Sequence, residues 1–353
     1  MKTLAFGLNR LDWSSPDRFA ADACRAEAAG WDWALIPASS LRLRDPYVNL
    51  ALAAAATRRI GLGVLLDTPA VRHPAVLASS IATVDELAPG RTLLCLGVGD
   101  TAVRLVGARP AKVAELESAT VLCRRLLAGE AVDVGAQRLA QLPFARPVPV
   151  WIAAGGPRTL RMAGRVADGV FIRVGLHPAN LRAAYDAVCA GAREAGRDPG
   201  AVRIGLIFHV VLDDDAARAA TIARSMAAGY YEYSPTLFDP PGFAWNGPPL
   251  EALKREVWPD FHHHDDLEAS GRLVSFLDDA VADAFAAHGP AAHVAAQLAA
   301  ALAAGVPCDL LVAHPMPTPA ADAPRPDYME HGLLESVIRR GPIYRPTPSG
   351  AKE

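Results

Sequence analysis

The sequence has no surplus of positive charge. Its 35 Lys and Arg stand against 38 Asp and Glu, for a net charge of −3, and no basic face or tail stands out. Nucleic acid or an anionic membrane would need a dense cationic surface, so neither is expected as a partner. A disulfide framework is missing too. The five cysteines, Cys24, Cys95, Cys123, Cys189 and Cys308, are odd in number and lack CxxC spacing. Most sit inside apolar patterns and read as small buried hydrophobes in a reducing compartment. No stretch approaches the roughly 18 uninterrupted apolar residues of a membrane span, and MKTLAFGLNR is too short a run for a secretory signal. A soluble, cytoplasmic protein is the expectation. GxSxG, HExxH and P-loop patterns are also absent, which removes the usual warrants for a hydrolase or a kinase.

What the chain does have is strand-length apolar runs alternating with helical periods, in a composition that is 51% apolar and rich in alanine. The runs are Thr3–Leu8, Trp31–Ile36, Ile60–Leu66, Thr92–Leu96, Val148–Ala153, Gly169–Val174, Val202–Leu212 and Cys308–Ala313. Several show no polar alternation, which marks strands buried on both faces of a parallel sheet. Helix starts such as Ser15-Pro16-Asp17 and Asp45-Pro46, and the stop at Gly30, separate them. Eight such units predict an α/β fold, a (β/α)8 barrel formed as a single domain over residues 1–353. Gly229–Pro290 interrupts the rhythm before the last strand. It reads as a variable insertion with helices at Leu250–Val257 and Leu273–Ala287. Its aromatics, among them Tyr230, Tyr231, Tyr233, Trp245 and Trp258, either wall a substrate pocket or cover the barrel. Residues 315–353 form a C-terminal extension, with a possible helix at Tyr328–Arg339.

Two glycine loops carry the chemistry. GVGDTA, Gly97–Ala102, lacks the third glycine of a dinucleotide fingerprint. Its other reading is that Gly97 and Gly99 let backbone approach a flat ligand, with Asp100 at a strand's C-terminal end. AAGGPRTL, Ala153–Leu160, places two glycines between a buried strand and a helix start. Free N–H groups and the positive dipole end suit an anion there, naturally a phosphate, although a tight turn set by Pro157 is the plainer alternative. Adjacent residues of a regular element point apart, so the run His262-His263-His264 reads as surface or pocket-lining histidines and no metal is expected. His73 reads as a cap or packing residue. His177 and His209, in or just beyond strands, read first as structural histidines.

Taken in order, GLGVLLDTPAVRHPAVLASSIATVDELAPGR, LCLGVGDTAVRLVGARPAKVAELE, PVPVWIAAGGPRTLRMAGRVADGVFIRVG and GAREAGRDP resemble the bacterial-luciferase-like superfamily. Within it they are most similar to the deazaflavin-dependent branch that includes methylenetetrahydromethanopterin reductase. The resemblance covers most of residues 1–212 and implies a (β/α)8 barrel that binds coenzyme F420 or, alternatively, FMN. It implies a non-proline cis bond at Gly63–Val64 behind the ring, and a ring site at Ser39, Gly63, Val64, Leu65, Gly99 and Asp100. The phosphate tail is implied at Ala153, Ala154, Gly155, Gly156, Pro157 and Arg158. The activity implied is hydride transfer from reduced F420 to a C=C or C=N bond of a small-molecule or peptide-borne substrate, by a homodimer. Asp100 is the first candidate for polarising the ring or donating a proton, with Tyr230, Tyr231 and His177 behind it. An FMN-dependent monooxygenase and a cofactor-free barrel with a binding role are the rival readings. One departure matters: many relatives end strand two with an acid-histidine pair, where this chain has Ala38-Ser39, so no proton transfer by that histidine carries over.

Overall fold

A computed structural model describes residues 4–9 and 14–318 of the protein. The chain begins with β1 (Ala5–Leu8), α1 (Pro16–Ala29), β2 (Trp33–Ile36), α2 (Pro46–Ala56), β3 (Gly61–Asp67), α3 (Pro74–Leu87) and β4 (Thr92–Leu96). It continues with α4 (Thr101–Leu105), α5 (Val113–Leu127), β5 (Val150–Ala154), α6 (Pro157–Val166), β6 (Gly169–Ile172), α7 (Pro178–Glu194), β7 (Arg203–Leu212) and α8 (Ala216–Tyr233). After these come α9 (Leu250–Leu253), α10 (Leu267–Leu273), α11 (Asp279–Phe285), β8 (Ala286–Gly289), α12 (Ala291–Leu302) and β9 (Leu310–Pro315). The strands form one sheet in which β1 to β6 are sequential neighbours, β9 lies beside β1 and β7, and β6 also pairs with β7. That closes an eight-stranded parallel barrel surrounded by helices, the (β/α)8 fold that the strand count predicts.

The insertion differs from its sequence reading. Leu250–Val257 gives only the single turn of α9, and Leu273–Ala287 is no continuous helix. Instead Asp278 starts α11 afresh by accepting the Val281 N–H at 3.0 Å, and the fully buried AAHG run becomes β8. This ninth strand pairs with the second half of β7, from His209↔Ala286 to Leu212↔Gly289, whereas the first half of β7 pairs with β6. A four-residue apolar run beside a helix carries no period of its own, which is why it reads as helix. The last barrel strand starts two residues later than predicted, and the helix expected at Tyr328–Arg339 lies outside the described residues.

The described residues gather into two compact units. One comprises Gly7–Arg173 with Ala183–Leu206 and holds β2 to β6 with their helices. All five residues of both β4 and β5 are buried, as parallel strands covered by helices must be. Arginines finish the helix C-termini in this unit. Arg91 donates to the Ile60 carbonyl at 2.7 Å and the Thr57 carbonyl at 3.2 Å, Arg124 to Val166 at 2.9 Å, and Arg197 to Ala167 at 2.7 Å. Carbonyls at a helix end have no partner within the helix, and these side chains meet them. The other unit comprises residues 4–6, Val174–Arg182 and 207–318, and its core includes Val211, Ile222, Met226, Leu267 and Met316.

Helices α6 and α7 touch through glycine. A Cβ on Gly191 would stand 1.7 Å from the Arg161 carbonyl oxygen, and one on Gly164 would stand 2.0 Å from that of Val188. Backbone cannot yield as a side chain does, so Gly191→Ala should force the helices apart at a cost of about 2 kcal/mol. A thermal melt indistinguishable from wild type would show that the contact is looser than this.

Candidate active site

The site is built on the ends of β3, β4, β5 and β6. Pairing between β3 and β4 is regular from Leu62↔Thr92 to Val64↔Leu94, then slips before resuming at Asp67↔Leu96. A cis peptide bond lies inside the slip, between Leu65 and Leu66. The bond implied by the resemblance, Gly63–Val64, is therefore two residues too early. Gly63 belongs to the regular ladder, where a Cβ would come within 2.9 Å of Leu93, so its missing side chain serves strand packing. The carbonyl of the cis bond and that of the next peptide are both held: Asn9 Nδ2 donates to Leu65 O at 3.3 Å and the Ala38 N–H to Leu66 O at 3.1 Å.

Asp67, which the sequence reading passed over, comes next. Its side chain is 1% exposed. Tyr47 Oη donates to it at 3.1 Å, the Thr68 N–H donates at 2.8 Å, and Arg72 Nε stands 3.3 Å away. Arg72 also bonds Asp45, the residue that caps α2, and lies over the Tyr47 ring at 5.2 Å. Burial pushes the Asp67 carboxyl up from 3.8 to about 6, against the pull of the Thr68 N–H, Arg72 and Tyr47. Its backbone carbonyl accepts the Gly97 N–H at 2.9 Å, and Thr68 Oγ1 donates to Val98 O at 3.1 Å. The GVGD loop thus hangs on Asp67 and Thr68. Gly99 has φ +87°, and a Cβ there would be 2.7 Å from Val103, so the loop needs glycine at this position.

Asp100 caps α4, accepting the Thr101 N–H at 2.7 Å, and faces Arg173 Nη1 at 3.5 Å. Arg173, immediately beyond β6, donates its own N–H to Ala154 O at 2.9 Å. One arginine therefore joins the acid of the first glycine loop to the strand that leads into the second. The sole signal for it in the sequence was a cation at the end of the apolar run GVFIR. In the second loop Ala153 and Ala154 are buried, and Gly156 is the N-cap of α6. No side chain caps this helix, in contrast to Asp45 on α2, His73 on α3 and Asp215 on α8. The N–H groups of Arg158 and Thr159 have no partner within the helix, which leaves its first turn suited to an anion.

Ser39 is half-buried after β2, its carbonyl accepting the Leu43 N–H at 2.8 Å. The remaining candidates belong to the other unit. His177 Nδ1 accepts the Ala179 N–H at 3.2 Å, its ring meets Phe243 edge-on, and burial and the Arg182 charge lower its pKa. Tyr230 is buried, with its ring 5.4 Å from that of His209 and 5.1 Å from that of Phe285. Tyr231 stacks on Trp245 at 4.5 Å. His209 is buried, and His73 caps α3, each as read from the sequence. His262, read as a surface or pocket-lining residue, is only 3% exposed.

A family profile described as luciferase-like monooxygenase matches residues 5–308. The chain belongs to this family. Over 243 residues it is 32% identical to 5,10-methylenetetrahydromethanopterin reductase of Methanolobus tindarius, a match covering 66% of this chain and 73% of that protein. It is 33% identical over 242 residues to the F420-dependent hydroxymycolic acid dehydrogenase of Mycobacterium tuberculosis, covering 62% and 66% of the two chains. Among solved structures, the coenzyme F420 dependent tetrahydromethanopterin reductase from Methanopyrus kandleri superposes with a TM-score of 0.70 at 21% identity, over 96% of this chain and 99% of that one. An F420-dependent secondary alcohol dehydrogenase superposes at 0.71 and 18%, over 98% and 100%. At these identities the structural likeness speaks to the barrel alone. Among the described residues no helix is long and apolar enough to cross a membrane.

Asp67 binds its proton more tightly in the folded chain than in the unfolded one. Its contribution to stability is thus complete below pH 3.8 and is lost as the pH rises through about 6. A displacement of that size is worth on the order of 3 kcal/mol. Asp67→Asn should remove this dependence, its melting temperature gaining on wild type between about pH 4 and 6. Parallel curves for the two proteins across that range would mean that Asp67 is not displaced by burial.

Proposed function

We propose that the protein is an oxidoreductase that works with coenzyme F420 and delivers hydride to an organic electrophile, a C=C or C=N bond. The observation that carries this reading is Arg173, which links Asp100 of GVGD to the Ala154 backbone ahead of the uncapped start of α6. A flat, polar-edged ring joined to an anionic tail is the kind of ligand that such a pair of loops accepts. The F420-dependent hydroxymycolic acid dehydrogenase, similar over 62% of this chain, supports the same coenzyme.

When bound, reduced F420 supplies a hydride from its deazaflavin ring. The residues do the rest. The α6 N–H groups with Gly155 and Gly156 would hold the phosphate, and Val64 and Leu65 would back the ring, with the Leu65 carbonyl fixed by Asn9 and the Leu66 carbonyl by Ala38. Asp100, in an ion pair with Arg173, suits electrostatic steering of the ring better than proton delivery. Asp67, whose carboxyl titrates at about 6, suits the holding of a proton near neutrality. A homodimer belongs to the same reading, since α2 and α3 leave Val48, Leu52 and Val76 exposed for a second copy to cover.

Titration of the purified protein with each coenzyme tests the reading. F420 should bind and FMN should not; tight FMN binding with none of F420 would replace it by the monooxygenase alternative. Gly156→Asp sets a carboxylate at the helix start and should weaken F420 binding roughly tenfold. A deazaflavin lacking the phosphate tail should bind that variant as it binds wild type. Equal losses for both ligands would move the tail elsewhere.

A further inference from the structure

The histidine run that plays no part in this chemistry forms a cluster of its own. Phe261–His263 is a single 3-10 turn whose N-cap is Asp260. On so tight a turn the cap carboxylate faces back onto the side chains that follow it, so neighbouring histidines reach one acid. Asp260 Oδ1 lies 2.7 Å from His263 Nδ1 and 4.0 Å from His262 Nε2, and one ligand atom from each of the three residues lies within 4.8 Å of the others. Tyr233 Oη donates to the second carboxylate oxygen at 2.9 Å, and the His263 N–H donates to the first at 3.0 Å.

The surroundings are shaped for these rings. Gly229 of α8 leaves the space that the His262 imidazole fills, since a Cβ there would lie 1.7 Å from Nδ1. That nitrogen faces the helix and Nε2 faces the acid. The turn is anchored from behind, with Ser225 and Ser270 both donating to the Phe261 carbonyl, at 2.6 and 3.0 Å. His209 extends the imidazole cluster, 5.7 Å from the His262 ring and 5.3 Å from that of His314. Asp260 and His262 are 1% and 3% exposed, while the His263 side chain is 29% exposed and leaves a way in.

We propose that Asp260, His262 and His263 bind a divalent transition-metal ion, which ties the side chains of the 3-10 turn to its own cap. Ligand atoms about 2.0–2.2 Å from a tetrahedral Zn²⁺ stand roughly 3.4 Å apart, and the separations of 2.7 and 4.0 Å straddle that value. All three ligand atoms lie within 4.8 Å of one another, so closing on an ion draws them together by up to about an ångström, with the His263 proton carried on Nε2 so that Nδ1 can ligate. Two imidazoles and one carboxylate select Zn²⁺ and its first-row neighbours over Mg²⁺ and Ca²⁺, which take oxygen ligands.

The test is Zn²⁺ binding by the chelator-treated full-length protein, followed by calorimetry and thermal melting, with Co²⁺ as a spectroscopic probe. One equivalent of Zn²⁺ should bind and raise the melting temperature, and Mg²⁺ should do neither. Asp260→Asn and His263→Ala should each weaken binding by more than tenfold, a loss at least as large as that for supporting residues around metal ligands. His263 is partly exposed, so His263→Ala should fold even if Asp260→Asn does not. His264→Ala should bind as wild type does, because that imidazole is engaged with Asp266. Failure of the wild type to bind Zn²⁺, or equal binding by His263→Ala, would overturn the proposal.

Discussion

The ends of β3 and β4 depend on the burial of a single carboxyl group. Asp67 brings together the Tyr47 hydroxyl from α2, the Arg72 guanidinium and the Thr68 amide, and its own carbonyl holds the Gly97 amide that opens the next loop. A buried acid is costly unless its lone pairs are met, and meeting them fixes where each partner must stand. The cis bond at Leu65–Leu66 lies directly before this anchor, with Asn9 holding its carbonyl and Ala38 that of the following peptide. The glycine loop that follows β4 is thus fastened to the end of β3.

Much of the barrel was legible because its strands are short apolar runs and its helices carry strong punctuation. Pro16, Pro46, Pro74, Pro157 and Pro178 all occupy the first position of their helices. The start of α6 was legible for the same reason, a Gly-Gly pair set against a proline. Arg173, Asp67 and Arg72 were not. Each takes its meaning from a partner distant in sequence, such as Asp100 for Arg173, and a local pattern carries no record of that distance. The cis bond was placed at Gly63–Val64 by family resemblance, whereas its position follows the register slip after Val64, which only the pairing with β4 reveals.

Two features of the insertion were not legible in the sequence, for related causes. AAHG is apolar and continues a helix in composition, so its pairing with β7 is invisible until β7 is seen to extend past β6. The argument that neighbouring histidines diverge holds for regular helices and strands. It fails on a 3-10 turn whose cap is an acid, where His263 meets Asp260 at 2.7 Å. In both cases the general rule was sound and the local geometry was an exception to it.

The arginines at the opposite ends of the strands have a consequence of their own. Arg91, Arg124 and Arg197 fasten helix ends to strand beginnings through bonds from a cation that stays charged throughout the range in which proteins live, even where burial lowers its pKa, as for Arg91 and Arg197. Glu27 stands among them and accepts the Arg58, Arg59 and Ile60 N–H groups; burial pushes its carboxyl up, but these bonds hold it below the usual carboxylate range. In acid strong enough to protonate it, the bonds from guanidinium to carbonyl are what still ties helix ends to strand beginnings.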